Sequence, residues 1–284
     1  GSASSSATPL SSASTRLSVG PTALTCLLVA ASLNGMAAPG SPQWVALAMW
    51  LALLSGAVQL GLGALRWGWL LNLVSAPVLT GFTQAAGLLI IASQLPALLG
   101  LQGGLATLWQ SPQFDWRALT FGVLSVAAML AARQWAPKLP MVMLVVAAAA
   151  LTSWALGFGA QGGAVIGQLP AGLPSLQWPG WPGLHTLGQL LTPALVIALV
   201  SFLETASSAR AESQHSGQRW DENQDLVGQG LAKLASALSG SFPTSASFSR
   251  SALNLYAGAR TGWATVVMVL CVLLAAGLFR AIGS

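Results

Sequence analysis

Charge is scarce in this chain. Eleven basic and six acidic residues are all the formal charge that 284 residues carry, a 6% share, where soluble domains carry about 25%. That excludes an ordinary water-soluble domain. Cysteine is nearly absent too. Cys26 and Cys271 stand in different apolar segments with no Cys or His at metal-ligand spacing, so they read as buried thiols, neither a disulfide framework nor a metal site. His185 and His215 fall in loops without ligating neighbours, and no Asn-x-Ser/Thr acceptor is present. No phosphate loop, zinc spacing or Ser/His/Asp set occurs, so neither an enzyme nor a bound cofactor is expected. The basic residues give a net charge of +5, but they are scattered singly and make no nucleic-acid-binding patch. The opening GSASSSATPLSSAS has no initiator Met, no basic n-region and no apolar h-region. Residues 1–16 therefore read as a polar stretch or the start of a fragment, not a signal peptide.

What is present is apolar. Hydrophobic residues make up 54% of the chain and the mean hydropathy is +0.70, the composition of a multi-span, all-α membrane protein. Nine hydrophobic segments are predicted: Val19–Leu33, Trp44–Leu65, Leu70–Leu99, Ala118–Trp135, Leu139–Phe158, Leu187–Ala211, Leu226–Leu238, Ser247–Tyr256 and Trp263–Ile282. A span needs about 20 apolar residues, which the second, fourth, fifth, sixth and ninth supply. The third is overlong and broken by Ser75-Ala76-Pro77 and Gly81, which predicts a bend. The first, seventh and eighth are short. Gly159–Thr186 reads as a Gly/Pro/Trp loop, and Glu212–Asp225 as a hydrophilic loop. Most tryptophans fall near segment ends, as in the aromatic belts of membrane proteins; sugar stacking is the lesser alternative.

The basic residues orient the chain. Threading the segments in turn puts Arg16, Arg66, Arg133, Lys138, Arg210, Arg219 and Arg260 on one face, and Arg117 and Arg280 on the other. The first face is cytoplasmic by the positive-inside rule. The tally works only if Ser247–Tyr256 is a half-helix entered from the outer side.

That segment holds Arg250. A charge at the centre of a membrane helix costs roughly 2.5–3.5 kcal/mol or more, so it usually faces a cavity or a partner. The first and eighth segments share a style. Each follows a short, polar, extended-looking stretch, residues 14–18 and 242–246, and each begins with small residues: Gly20-Pro21-Thr22-Ala23 and Ser247-Phe248-Ser249. Pro21 suits a first helical turn. Paired short segments in two halves of a transporter point to its substrate site. Two half-helix starts facing each other would offer free N–H groups and positive dipole ends to an anion. Ser247 and Ser249 would add hydroxyl donors and Arg250 a full charge. The plainer alternative is an interfacial re-entrant helix with a snorkelling arginine.

Glu204 is the one acid well inside a hydrophobic segment, seven residues and about 10 Å before Ala211. A buried carboxylate is paired or neutral, and Arg250 is its expected partner. The pair is either structural or part of cation coupling, with Ser208 one turn further along the same face. Lys233, in a short amphipathic segment, is a weaker candidate that can snorkel inward.

The runs ALVSFLETASSARA (198–211) and DENQDLVGQGLAKLASALSGSFPTSASFSRSALNLYAGART (221–261) closely resemble the SulP family of anion transporters. TRLSVGPTALTCLL (15–28) resembles that family's third helix and APVLTGFTQAAGLLIIASQLPALLG (76–100) its fifth. The resemblance implies a fold of two inverted seven-helix repeats, truncated here to helices three to eleven, with two half-helices meeting at the membrane midplane. It implies a core domain from residues 17–65 and 187–284 and a gate from 66–158, with 159–186 as an external loop. Thr22, Ala23, Phe248, Ser249 and Arg250 then match substrate-binding positions, and Glu204 matches the acid that relatives use in proton or sodium coupling. Lys233 stands where relatives often have Asn. The expected function is secondary active transport of an inorganic or small organic anion (sulfate, bicarbonate or a dicarboxylate) by elevator-type alternating access. A proton or sodium ion would be coupled, in the inner membrane of a bacterium, with a homodimer at full length. The alternatives are an uncoupled channel or exchanger and a non-transporting membrane scaffold.

Overall fold

The computed structural model describes residues 17–101, 115–135, 141–160, 176–216, 220–247, 250–251 and 263–283. Phe248 and Ser249, Arg16, and the expected half-helix beyond Ser251 lie outside them. In chain order the elements are β1 (Val19–Gly20), α1 (Ala23–Leu33), α2 (Pro42–Ala64), a 3-10 helix (Trp67–Leu73), α3 (Ala76–Leu98), α4 (Trp116–Trp135), α5 (Met141–Ala155), α6 (Leu184–Ser216), α7 (Glu222–Leu238), β2 (Ser245–Ala246) and α8 (Trp263–Gly283). The chain divides into two compact units, one of Gly1–Ala86 with Ala171–Ser284, the other of Gly87–Pro170.

Among the described residues, three helices are long and apolar enough to cross a membrane: Pro42–Ala64, Thr80–Leu98 and Leu184–Arg210. Ser41 caps α2 by accepting from the Trp44 N–H, and Pro42 occupies a first-turn position where a missing N–H costs nothing. The expected bend in the third segment is a full break. The 3-10 helix ends at Leu73 and α3 begins at Ala76, with Pro77 in its first turn.

The hydrophilic segment 212–225 is mostly helical rather than a loop. α6 runs 33 residues to Ser216, about 50 Å at 1.5 Å per residue, and so outlasts the hydrocarbon core. α7 starts four residues before the apolar segment that announced it. Asp221 caps it, accepting from the Asn223 and Gln224 N–H groups, and Glu222 and Asp225 sit in its first turn, where the helix dipole favours acids. Charged residues at helix ends hid both extensions from an apolar reading.

The core of the larger unit packs α1, α2 and α6. Val29 and Leu33 meet Leu47, Ala48 and Leu51, and these meet Leu190, Ala194 and Ile197. Helices α2 and α7 approach more closely still. A Cβ on Gly230 would lie 2.7 Å from the Leu60 nitrogen and 2.9 Å from the Gly56 carbonyl oxygen. A Cβ on Gly63 would lie 2.8 Å from the Val227 nitrogen. Glycine is required here because the two backbones touch, the usual device of membrane helix pairs. The smaller unit joins α4 to α5 and holds a cavity of about 310 Å³ lined by residues such as Phe121, Gly122, Ser153 and Phe158.

Candidate anion site

Four residues set the geometry. Val19 pairs with Ala246 and Gly20 with Ser245 in a two-stranded antiparallel ribbon. The pairing continues beyond the strands, since the Ser247 N–H donates to the Ser18 carbonyl at 3.0 Å and the Ser18 N–H to Ser251 Oγ at 3.1 Å. The chain just before each of the two helix starts thus binds the other, at residues 18–20 and 245–247. Each leads straight into a helix start.

The first start is α1. Thr22 is its N-cap and forms a capping box with Thr25, each side chain engaging the other residue's backbone N–H. Pro21 precedes the cap, one residue outside the helical turn in which it was expected. Ala23 is the first helical residue and is exposed. The second start is at Ser247, whose carbonyl accepts from the Ser251 N–H at 2.9 Å and whose hydroxyl accepts from the Arg250 N–H at 3.5 Å. That is an N-cap pattern, and it gives this serine a local structural role.

Arg250 is half-buried beside this junction. Its Nη2 donates to the Pro21 carbonyl at 3.1 Å, and its Nε has no hydrogen-bond partner among the described residues. A Cβ on Gly20 would meet Nη2 at 3.0 Å and Nη1 at 3.1 Å, with Cζ farther at 3.4 Å, so the guanidinium presents its Nη1–Nη2 edge to the glycine. Cys26, one turn into α1, stands within its electrostatic reach.

Glu204 does not take Arg250 as its partner, contrary to expectation. The Thr22 hydroxyl donates to its carboxylate at 3.2 Å, the Ser245 side chain lies close to it, and the cation that acts on it is Lys233. The reason is placement. The ribbon holds Arg250 over Gly20 and Pro21, while Glu204 faces the first cap from below. Glu204 is also deeper than the apolar segment implied: α6 continues twelve residues beyond it to Ser216, about 18 Å. Ser208, one turn on, is buried with no partner for its hydroxyl among the described residues.

Lys233 reaches inward. It is fully buried, and its Nζ donates to Gln59 Oε1 at 2.8 Å and to Ser201 Oγ at 2.9 Å. The close approach of α7 to α2 directs the side chain between α2 and α6 rather than outward. Around it runs a polar network that the sequence reading missed. Gln59 Nε2 donates to the Ala198 carbonyl and to Ser201 Oγ, both at 2.8 Å. Thr205 donates to the Ser201 carbonyl, and Gln229 Nε2 donates to Thr205 Oγ1. The available signal was Gln59, the one amide in the apolar segment Trp44–Leu65. No group of His, Cys, Asp or Glu among the described residues could hold a metal ion.

The site therefore has two tiers: two capped helix starts with an arginine above, and a carboxylate, an ammonium and their hydroxyl partners below. Comparison with known proteins identifies the family of the chain. The model of the sulfate permease family matches residues 8–282. A probable sulfate transporter of Mycobacterium tuberculosis is 35% identical over 260 residues, 87% of this chain and 46% of that protein. A probable sulfate transporter of Arabidopsis thaliana is 31% identical over 269 residues, covering 89% and 39% of the two chains. The chain thus spans less than half the length of these relatives. Among solved structures, the transmembrane domain of the cyanobacterial bicarbonate transporter BicA superposes with a TM-score of 0.75 at 22% identity, over 93% of this chain and 71% of that one. The murine anion transporter Slc26a9 gives 0.79 at 18% identity, over 93% and 48%. Sequence and fold agree that the chain belongs to the sulfate permease family of integral, multi-pass membrane proteins.

Proposed function

We propose that the protein carrying this chain is a secondary active transporter of an inorganic or small organic anion (sulfate, bicarbonate or a dicarboxylate) in a bacterial plasma membrane. The observation that supports this most is the juxtaposition of two capped helix starts by the β1–β2 ribbon, with Arg250 laid across the junction. In the first turn of α1 the Ala23 and Leu24 N–H groups have no intrahelical acceptor, and the dipole makes that end positive. An anion there meets backbone donors and a guanidinium with unused donor capacity, in surroundings where charges interact more strongly than in water. Thr22, Ala23, Ser247 and Arg250 form the binding set, which Phe248 and Ser249 complete by their place in the sequence between Ser247 and Arg250. The names of the relatives, sulfate transporters and a bicarbonate transporter, support the choice of anions. None of this asks for a catalytic group or a resident cofactor.

Glu204 is the coupling residue, with Ser208 beside it. Its bond to Thr22 ties its charge state to the cap of the anion-binding helix, so a proton or sodium ion taken up there changes the field at the anion. Movement of the core of two inverted repeats against a gate, in elevator fashion within a homodimer, carries the anion across. Uptake by the full-length protein in proteoliposomes tests the reading. Arg250→Ala abolishes uptake, and Glu204→Gln keeps anion exchange but removes its response to a cation gradient. Normal gradient-driven uptake by both variants refutes the assignment.

A further inference from the structure

Resting on Glu204 as the coupling residue, we propose that Lys233 is a built-in counter-cation that keeps sodium out of the carboxylate's surroundings. The protein is then sodium-independent, and the coupling ion of the two considered is the proton.

Coordination carries the argument. A hard metal cation needs a shell of about six oxygens. The oxygens near Glu204 are already committed. Ser201 Oγ accepts from both Gln59 Nε2 and Lys233 Nζ and donates to the Ala198 carbonyl, which uses its full hydrogen-bonding capacity. Gln59 Oε1 accepts from Lys233 Nζ. Thr205 Oγ1 donates to the Ser201 carbonyl and accepts from Gln229. Thr22 Oγ1 is engaged by the capping box as well as by Glu204. Three buried oxygens stay without partners among the described residues: Ser208 Oγ, Gln229 Oε1 and Thr244 Oγ1. Even with both carboxylate oxygens, one of them already engaged by Thr22, they come from three separate stretches of chain and stay short of a metal's shell.

Charge acts in the same direction. Lys233 uses two of its three N–H donors on neutral oxygens, and Glu204 is the carboxylate within its electrostatic reach. Glu204 in turn faces Thr22 from α1, Ser245 from β2 and Lys233 from α7. The ammonium is fully buried on a helix packed too closely against α2 to swing away. A metal ion entering here would meet a fixed positive charge in place of a ligand. A proton on Glu204 needs no shell, which is why it remains admissible.

Sodium binding by the purified full-length protein gives a test that does not depend on transport. Thermal stability and ²²Na⁺ binding are measured in sodium chloride against choline chloride at equal ionic strength. The wild type shows no saturable ²²Na⁺ binding and no sodium-dependent shift in Tm. Lys233→Asn, which removes the charge and leaves an amide oxygen, gains a Tm that rises with sodium, and adding Glu204→Gln abolishes the gain. Sodium binding by the wild type overturns the proposal, and that measurement stands even where the variant does not fold. So does a folded Lys233→Asn protein that is indifferent to sodium. Failure of anion uptake would count against the transporter reading alone, because these readouts do not use it.

Discussion

Gly230→Ala puts a methyl group where α7 meets α2. The new Cβ would lie 2.7 Å from the Leu60 nitrogen, 2.9 Å from the Gly56 carbonyl oxygen and 2.9 Å from the Leu60 Cα. All three are backbone atoms, so no rotamer change relieves the clash. Ordinary contact begins near 3.4 Å, and the helices must part by about 0.7 Å. Overpacking of this kind costs about 1–3 kcal/mol. Lys233 follows one turn later, and the same displacement stretches its 2.8 Å bond to Gln59 to the edge of a hydrogen bond. Weakening a hydrogen bond to a charged group adds up to about 1.5–3 kcal/mol. Against this, alanine gains about 1 kcal/mol over glycine in a helix. The expected net loss is about 2–5 kcal/mol. The control is Gly61→Ala on α2, where a Cβ would meet nothing within 4 Å. It should be neutral or stabilising by up to about 1 kcal/mol. Thermal unfolding of both variants in detergent, followed by size-exclusion chromatography, compares them. Equal stability of the two would refute the reasoning that the helix backbones are in contact.

Thr22→Ala removes the α1 cap and a donor to Glu204. It should lower stability by about 1 kcal/mol, while Thr22→Ser retains most of it; chemical or thermal unfolding reads the difference, and an unaffected alanine variant would remove the cap from the account. Gly20→Ala meets only the movable tip of Arg250, at 3.0 Å from Nη2. Stability should change by less than about 0.5 kcal/mol, whereas anion affinity in a direct binding assay should fall several-fold; unchanged affinity would show that the guanidinium's position over Gly20 does not matter.

Much of the fold was legible because a membrane imposes a simple code. Long apolar runs marked α2 and α6, and Ser75-Ala76-Pro77 marked the break before α3. The resemblance of the two short stretches at residues 14–18 and 242–246 anticipated elements that the structure joins as β1 and β2, shifted along the chain by a residue or more. What stayed hidden depends on three-dimensional packing. Arg250 and Glu204 were each identified as expensive charges, yet pairing them rested on scarcity alone; the ribbon and the α2–α7 contact decided which cation met the carboxylate. The partners of Lys233 stayed hidden because a helical pattern gives a side chain's surroundings only once the neighbouring helices are known. Gln59 and Ser201 were inconspicuous singly, and acquire meaning only where α2, α6 and α7 converge. The ends of α6 and α7 were missed for a different reason: capping and exposed charged turns extend helices past the apolar stretch.

The β1–β2 ribbon also bears on how such a protein is made. Val19 and Ala246 are more than two hundred residues apart, so their pairing must await the synthesis of everything between them. During synthesis α1 enters the membrane with half of the ribbon and half of the anion site not yet in existence. A loop of this length costs only modestly more to close than a short one, because the entropy grows as the logarithm of length. The demand falls instead on the waiting helix. The Thr22–Thr25 capping box meets that demand, since both of its partners arrive together and need no later segment. The first half of the site can therefore be finished locally, long before the second half is translated.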